Sequence, residues 1–179
     1  MSGESYAIAE TVIGPVGIVW GPDGVRGVQL PERTAAATRD RMLKLHPDAQ
    51  PATPPESVQH AIDGISALVE GRPDDLRDIE VDLADVPEFD RKVYALAREC
   101  GPGQTTTYGE IAGRLGDPGA ARAVGQALGH NPVPLIVPCH RVLAAGGRLG
   151  GFSARGGVTT KLRLLDIEGA EPGGQPALF

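Results

Sequence analysis

Pro138-Cys139-His140-Arg141-Val142 sets a thiol beside an imidazole and a guanidinium, directly after the apolar run of Val133, Leu135, Ile136 and Val137. A thiol placed after a run that reads as buried is either inert packing, the usual fate of a free cysteine, or a protected nucleophile. Only the thiolate attacks carbon well, and an unperturbed thiol has a pKa of about 8.5. A working sulfur here therefore needs a base poised near neutrality, and His140 is a potential one. On these five residues alone both readings stay open.

Composition narrows the setting. The chain has 179 residues, 41% of them hydrophobic, enough for one large domain or two small ones with cores of their own. No apolar stretch approaches bilayer length, and Met1-Ser2-Gly3-Glu4 lacks a secretory pattern, so a soluble protein of the cytoplasm is expected. Cys100 and Cys139 are accordingly expected to be reduced. Neither these two cysteines nor His46, His60, His130 and His140 show CxxC or HxxxH spacing, so no metal is expected.

Net charge is −6, which at face value argues against a nucleic-acid partner. The acid, however, lies in the first half. Residues 1–87 carry 7 Lys and Arg against 15 Asp and Glu, whereas residues 88–179 carry 10 against 8. Arg114, Arg122, Arg141, Arg148, Arg155, Lys161 and Arg163 could therefore give the second half a local basic face for phosphates. Affinity for DNA is expected to be moderate and dependent on salt.

The elements that must position the cysteine follow from pattern. Tyr6 to Val12, Val16 to Trp20 and Val25 to Leu30 alternate apolar and polar residues between Gly- and Pro-containing turns, which predicts a three-stranded antiparallel meander. Residues 34–45 and 55–69 read as helices around the Pro-rich segment Pro47 to Pro55, and Ile79 to Leu83 as a further strand. These make a small α/β domain over residues 1–86 with a structural role. From Pro87 the pattern turns helical. Phe89, Val93, Leu96 and Ala97 share one helix face up to about Cys100, whose thiol has no evident task.

Thr107 and Glu110 stand three apart, as in a capping box, and open a short helix over Ile111, Ala112 and Leu115. Gly116 to Gly119 break it, and a helix rich in Ala and Gly follows from Ala120 to Gly129. Two short helices around a tight turn predict a helix-turn-helix in residues 87–179. Close helix packing would also explain the small residues. Arg122 stands out in the least bulky stretch of the chain, where a helix backbone could approach a shallow minor groove and push a guanidinium into the gap left by an extruded base.

The segments TTTYGEIA (105–112), AARAVGQALGHNPVPLIVPCHRV (120–142) and KLRLLDIEG (161–169) resemble the O6-alkylguanine-DNA alkyltransferases, the methylated-DNA–protein-cysteine methyltransferases. The likeness is close over the second half, and the first half resembles the variable N-terminal domain of that family. It implies an α/β N-terminal domain, then a mostly α-helical, winged-helix-like domain with a helix-turn-helix. The activity implied is direct-reversal repair of double-stranded DNA, with the alkyl group on guanine O6, and possibly on thymine O4, passed once and irreversibly to Cys139 after base flipping. No cofactor is implied, no membrane is involved, and the protein is expected to act as a monomer, with clustering on DNA left open.

Position by position, the resemblance implies Cys139 as acceptor, His140 as water-linked base and Glu168 as the carboxylate that orients it, the logic of nucleophile, base and orienter. Neighbouring side chains do not easily face each other, which favours a water relay between Cys139 and His140. Asn131 is similar to the residue that ties the turn after the DNA helix to the active-site loop. Tyr108, Arg122, Ala121 and Gly125 correspond to DNA-binding and base-flipping positions, with Arg122 filling the vacated stack. Val142, Phe152, Ser153 and Leu128 correspond to the guanine pocket.

Phe152 stands where many relatives carry Tyr, and Ser153 to Gly157 run slightly longer than in close relatives, which bears on the size of alkyl group accepted. Read singly, Glu168 is as much an exposed helix-end charge as an orienter, and Arg141 is a loop brace more than a phosphate ligand. Three rival functions compete. A non-catalytic reader of alkylated bases would lack the acceptor cysteine. A transcription regulator would carry longer polar side chains on its recognition helix. A Cys-His hydrolase would need an oxyanion hole, for which no motif is present.

Overall fold

A computed structural model describes residues 3–149 and 157–170. The chain forms two compact units, Met1–Ala84 with Pro132–Ile136, and Asp85–Asn131 with Val137–Phe179. The class is α/β, a mixed four-stranded sheet plus helices. No helix among the described residues is long and apolar enough to cross a membrane.

In the first unit, β1 (Ser5–Thr11), β2 (Gly14–Gly21) and β3 (Gly24–Gln29) form the antiparallel meander that the alternation predicts. The β2–β3 turn needs Gly24. Its φ is +134°, and a Cβ there would lie 2.7 Å from the Glu80 carbonyl oxygen. The helices α1 (Ala35–Leu45), capped by Thr34, and α2 (Glu56–Val69) fall where the apolar spacing puts them. Val58, Ala61, Ile62, Ile65, Leu68 and Val69 make the buried stripe of α2.

Two expectations are corrected here. The sheet has a fourth strand, β4 (Gln50–Pro51), parallel to β1 inside the segment read as loop. A proline is tolerated there because β4 is an edge, where its missing N–H leaves no ladder bond unmade. Conversely, Ile79 to Leu83 is no strand but a single bridge, Val81 to Val25. The Asp82 carboxylate accepts from the Ala84 N–H at 3.0 Å, a local turn that ends the extended run.

The second unit holds α3 (Glu88–Ala97), β5 (Thr106–Thr107), α4 (Tyr108–Arg114), α5 (Ala121–Gly129), β6 (Val142–Leu143) and α6 (Val158–Ile167). Helix α3 stops before Cys100 and buries Val93, Tyr94 and Ala97, while Phe89 stays exposed, so the expected apolar face is rotated. Tyr94 turns it, because its buried hydroxyl donates to the Ala127 carbonyl on α5 at 2.6 Å. Tyr94→Phe is expected to cost about 1 kcal/mol in urea unfolding, the net worth of one buried hydrogen bond. Thr107 caps α4 by accepting from the Glu110 N–H at 3.0 Å, and Glu110 in turn accepts from the Thr106 hydroxyl at 2.7 Å instead of from the cap backbone.

Candidate active site

Pro138 ends the apolar run and lets the chain wind into one 3-10 turn, Cys139–Arg141, closed by Arg141 N–H donating to the Pro138 carbonyl at 2.9 Å. Three residues per turn send three successive side chains in three directions. Cys139 remains partly exposed, whereas His140 and Arg141 are fully buried. Immediately afterwards Val142–Leu143 pair in parallel with Thr106–Thr107, which sets the N-terminus of α4, and so Tyr108, beside the strand that leaves the cysteine turn.

Helix α6 closes the site from its far end. Lys161, Leu164 and Leu165 are buried at helical spacing, and Glu168 continues that stripe as the C-cap. The Glu168 side chain is 2% exposed and accepts three hydrogen bonds, from His140 Nε2 at 2.7 Å and from Arg141 Nε and Nη2 at 2.8 and 2.9 Å. Arg141 Nη1 donates to the Cys100 carbonyl at 2.8 Å. His140 Nδ1 is buried with no hydrogen-bond partner among the described residues. Asn131 Nδ2 donates to the Val137 carbonyl at 2.8 Å, and Asn131 also hydrogen-bonds the Cys139 thiol.

These contacts set the protonation states. Burial pushes the Cys139 thiol up, and the Asn131 hydrogen bond and the Lys161 charge pull it only part of the way back. Burial also pushes His140 down. Glu168 opposes this, and the charges of Arg141 and Lys161 reinforce it. Burial alone would raise Glu168, but its bonds from His140 and Arg141 hold the carboxyl down at about 2. The site at rest is a neutral thiol, a neutral imidazole and an ionised carboxylate. A sulfur anionic at rest, which the need for a thiolate nucleophile suggests, is not what this environment favours.

The structure thus brings Cys139, Asn131, His140 and Glu168 together. Tyr108 lies half-buried against α5, where a Cβ on Gly125 would touch its ring at 3.9 Å. Arg122 is exposed, Ala121 half-exposed, and Leu128 and Val142 buried. Phe152, Ser153 and Arg155 lie outside the described residues. The expected basic face loses two members, since Arg141 and Lys161 are 1% exposed and serve the interior. Arg114 is exposed but pairs with Glu99 at 3.0 Å.

Sequence reasoning missed Lys161. Its Nζ donates to the Val142 carbonyl at 2.8 Å and lies 5.8 Å from the centre of the Tyr108 ring. Burial lowers its pKa to about 8, against the opposing pull of Cys139. The signal was available: positions 161, 164, 165 and 168 form one helical stripe, and two of its four members are charged.

The family model described as 6-O-methylguanine DNA methyltransferase, DNA binding domain, matches residues 88–170. The methylated-DNA–protein-cysteine methyltransferase of Methanothermobacter thermautotrophicus is 34% identical over 89% of this chain and 82% of its own. The Mycobacterium tuberculosis protein of the same name is 34% identical over 97% and 98%. The crystal structure of Mycobacterium tuberculosis OGT in complex with DNA superposes with a TM-score of 0.74 at 33% identity, covering 97% of this chain and 96% of that one. A thiol turn braced from a helix end, in a chain alike over nearly its whole length, defines a class. The chain belongs to the methylated-DNA–protein-cysteine methyltransferase family.

Proposed function

We propose that this protein repairs alkylated double-stranded DNA by moving the alkyl group of O6-alkylguanine onto Cys139, once per molecule. The observation that carries the reading is the buried Glu168–His140 bond, which commits Nε2 as donor and leaves Nδ1 bare as the only ring atom able to take a proton. The thiol proton passes to Nδ1, through a water, as Sγ attacks the alkyl carbon. The C–S bond forms, the C–O bond breaks, and its electron pair leaves on guanine O6. Tyr108 donates a hydrogen bond to the departing purine, and burial favours that donor role by keeping its hydroxyl protonated. The thioether is stable, so the reaction stops there.

In this reading α4 and α5 act as a helix-turn-helix in a winged-helix-like unit. Ala121 and Gly125 let α5 lie close to the minor groove, and Arg122 enters the stack as the nucleotide leaves it. Phe152, Ser153, Val142 and Leu128 line the purine pocket. Residues 1–86 serve as a structural domain and 87–179 as the working one.

Incubation with DNA containing O6-methylguanine is expected to add the mass of one methyl group, on the peptide containing Cys139. No gain, or a gain on another peptide, refutes the proposal. Arg122→Ala is expected to slow repair of duplex DNA at least about tenfold, a loss of about 1.4 kcal/mol, and to spare reaction with free O6-benzylguanine. Equal losses on the two substrates would remove Arg122 from the groove.

A further inference from the structure

Cys139, His140 and Glu168 have a place in the transfer chemistry, and Arg141, bonded to Glu168, has none. Yet it is the most fully committed side chain of the site. Two of its nitrogens grip both oxygens of Glu168, the third donates to the Cys100 carbonyl just past the end of α3, and 1% of the residue is exposed. The Glu168 Oε2 atom is shared between Arg141 Nη2 and His140 Nε2.

We propose that Arg141 is a positioning residue for alkyl transfer: its guanidinium fork fixes the Glu168 carboxylate and takes up its charge, so that His140 keeps the neutral, Nε2-protonated form whose Nδ1 can receive the thiol proton. The proposal rests on the reading of Cys139 as acceptor and His140 as base.

A carboxylate facing an imidazole alone would draw a second proton onto the ring and convert the base into an imidazolium. The charged groups acting on His140 are Lys161 from α6, Glu168 from the cap that follows it, and Arg141 from its own turn, and the neighbouring titratable group is the Cys139 thiol. With the thiol neutral these sum to one negative and two positive charges, which disfavours a third positive charge on the ring. Guanidinium is the suitable partner because it stays protonated at any working pH and presents its donors in a rigid fork that matches a carboxylate. A lysine would supply the charge without the fork.

The test is the rate of methyl transfer to Cys139 between pH 5 and 9 in the wild type, Arg141→Gln and Arg141→Lys, with thermal unfolding of each. In Arg141→Gln the acidic limb of the profile is expected to move up by about one pH unit, so that the loss grows towards about tenfold at the acidic end of the range and disappears by pH 9. Arg141→Lys is expected to keep the wild-type limb and lose rate evenly across the range. An Arg141→Gln profile lowered evenly, with its limb unmoved, overturns the proposal, because a brace that only holds the fold would give that result.

Should Arg141→Gln not fold, two measurements still decide. In the wild type, nitrogen NMR of His140 is expected to show a proton on Nε2, a bare Nδ1 and titration below the ordinary 6.5. A ring that titrates above that value, or a lysine variant whose limb moves as far as one pH unit, overturns the proposal. A methyl group found elsewhere than on Cys139 would instead sink the proposed function itself.

Discussion

Cys139→Ala is expected to take up no methyl group from DNA containing O6-methylguanine, to the detection limit of intact-mass measurement, while still binding that DNA. Chemistry and folding separate cleanly at this position. Sγ is the only atom of the turn proposed to form a bond to the substrate, and the other cysteine, Cys100, contributes its backbone carbonyl to Arg141. The side chain is small and partly exposed. Its loss leaves Asn131 still bonded to the Val137 carbonyl, so a stability change within about 1 kcal/mol is expected. A folded alanine variant that still gains one methyl would show that the acceptor lies elsewhere.

Glu168→Gln is expected to cost both stability and rate. The carboxylate is the counter-charge of a fully buried guanidinium, and removing one partner of such a pair costs about 3–5 kcal/mol because the other charge stays buried unpaired. The linkage argument reaches the same size. Glu168 falls from an ordinary 4.5 to about 2, which corresponds to about 3 kcal/mol of stability. A depressed carboxyl contributes in full above its unfolded pKa and loses that contribution as the pH falls from about 4.5 towards 2. Urea unfolding should therefore separate wild type and variant widely at pH 7 and bring them together near pH 2. Equal gaps at both pH values would show that Glu168 is not the group that titrates. Transfer should slow as well, since the amide holds His140 without the charge that keeps Nε2 a committed donor.

How much of this was legible in the sequence depends on range. The meander and the helices α1 and α2 rest on neighbours two to four residues apart, and alternation and spacing revealed them. Gln50–Pro51 could not be read as a strand, because its only reason to pair is the open edge of β1, more than forty residues earlier. Ile79 to Leu83 alternates as a strand should, yet the Asp82 side chain competes locally for the backbone and wins. At the site, Cys139 and His140 were visible from their adjacency. Arg141 was legible as a loop brace but not its partners, Glu168 and the Cys100 carbonyl, and Lys161 was counted as surface charge, because sequence shows a charge and not what it pairs with. Only the stripe on α6 hinted that Lys161 and Glu168 turn inward. The neutral resting thiol was equally hidden, since it depends on how much water the fold removes from around the sulfur.

The first unit is not one stretch of chain. Val133, Leu135 and Ile136, all buried, belong to it although they follow α5 in sequence, and Val28 donates its N–H to the Pro132 carbonyl at 2.9 Å. Synthesis must therefore run as far as Ile136 before the first unit can be completed. Until then the nascent sheet lacks part of its own interior. A chain cut after Ala84 would leave the first unit without those three apolar side chains, which would remain on the other fragment.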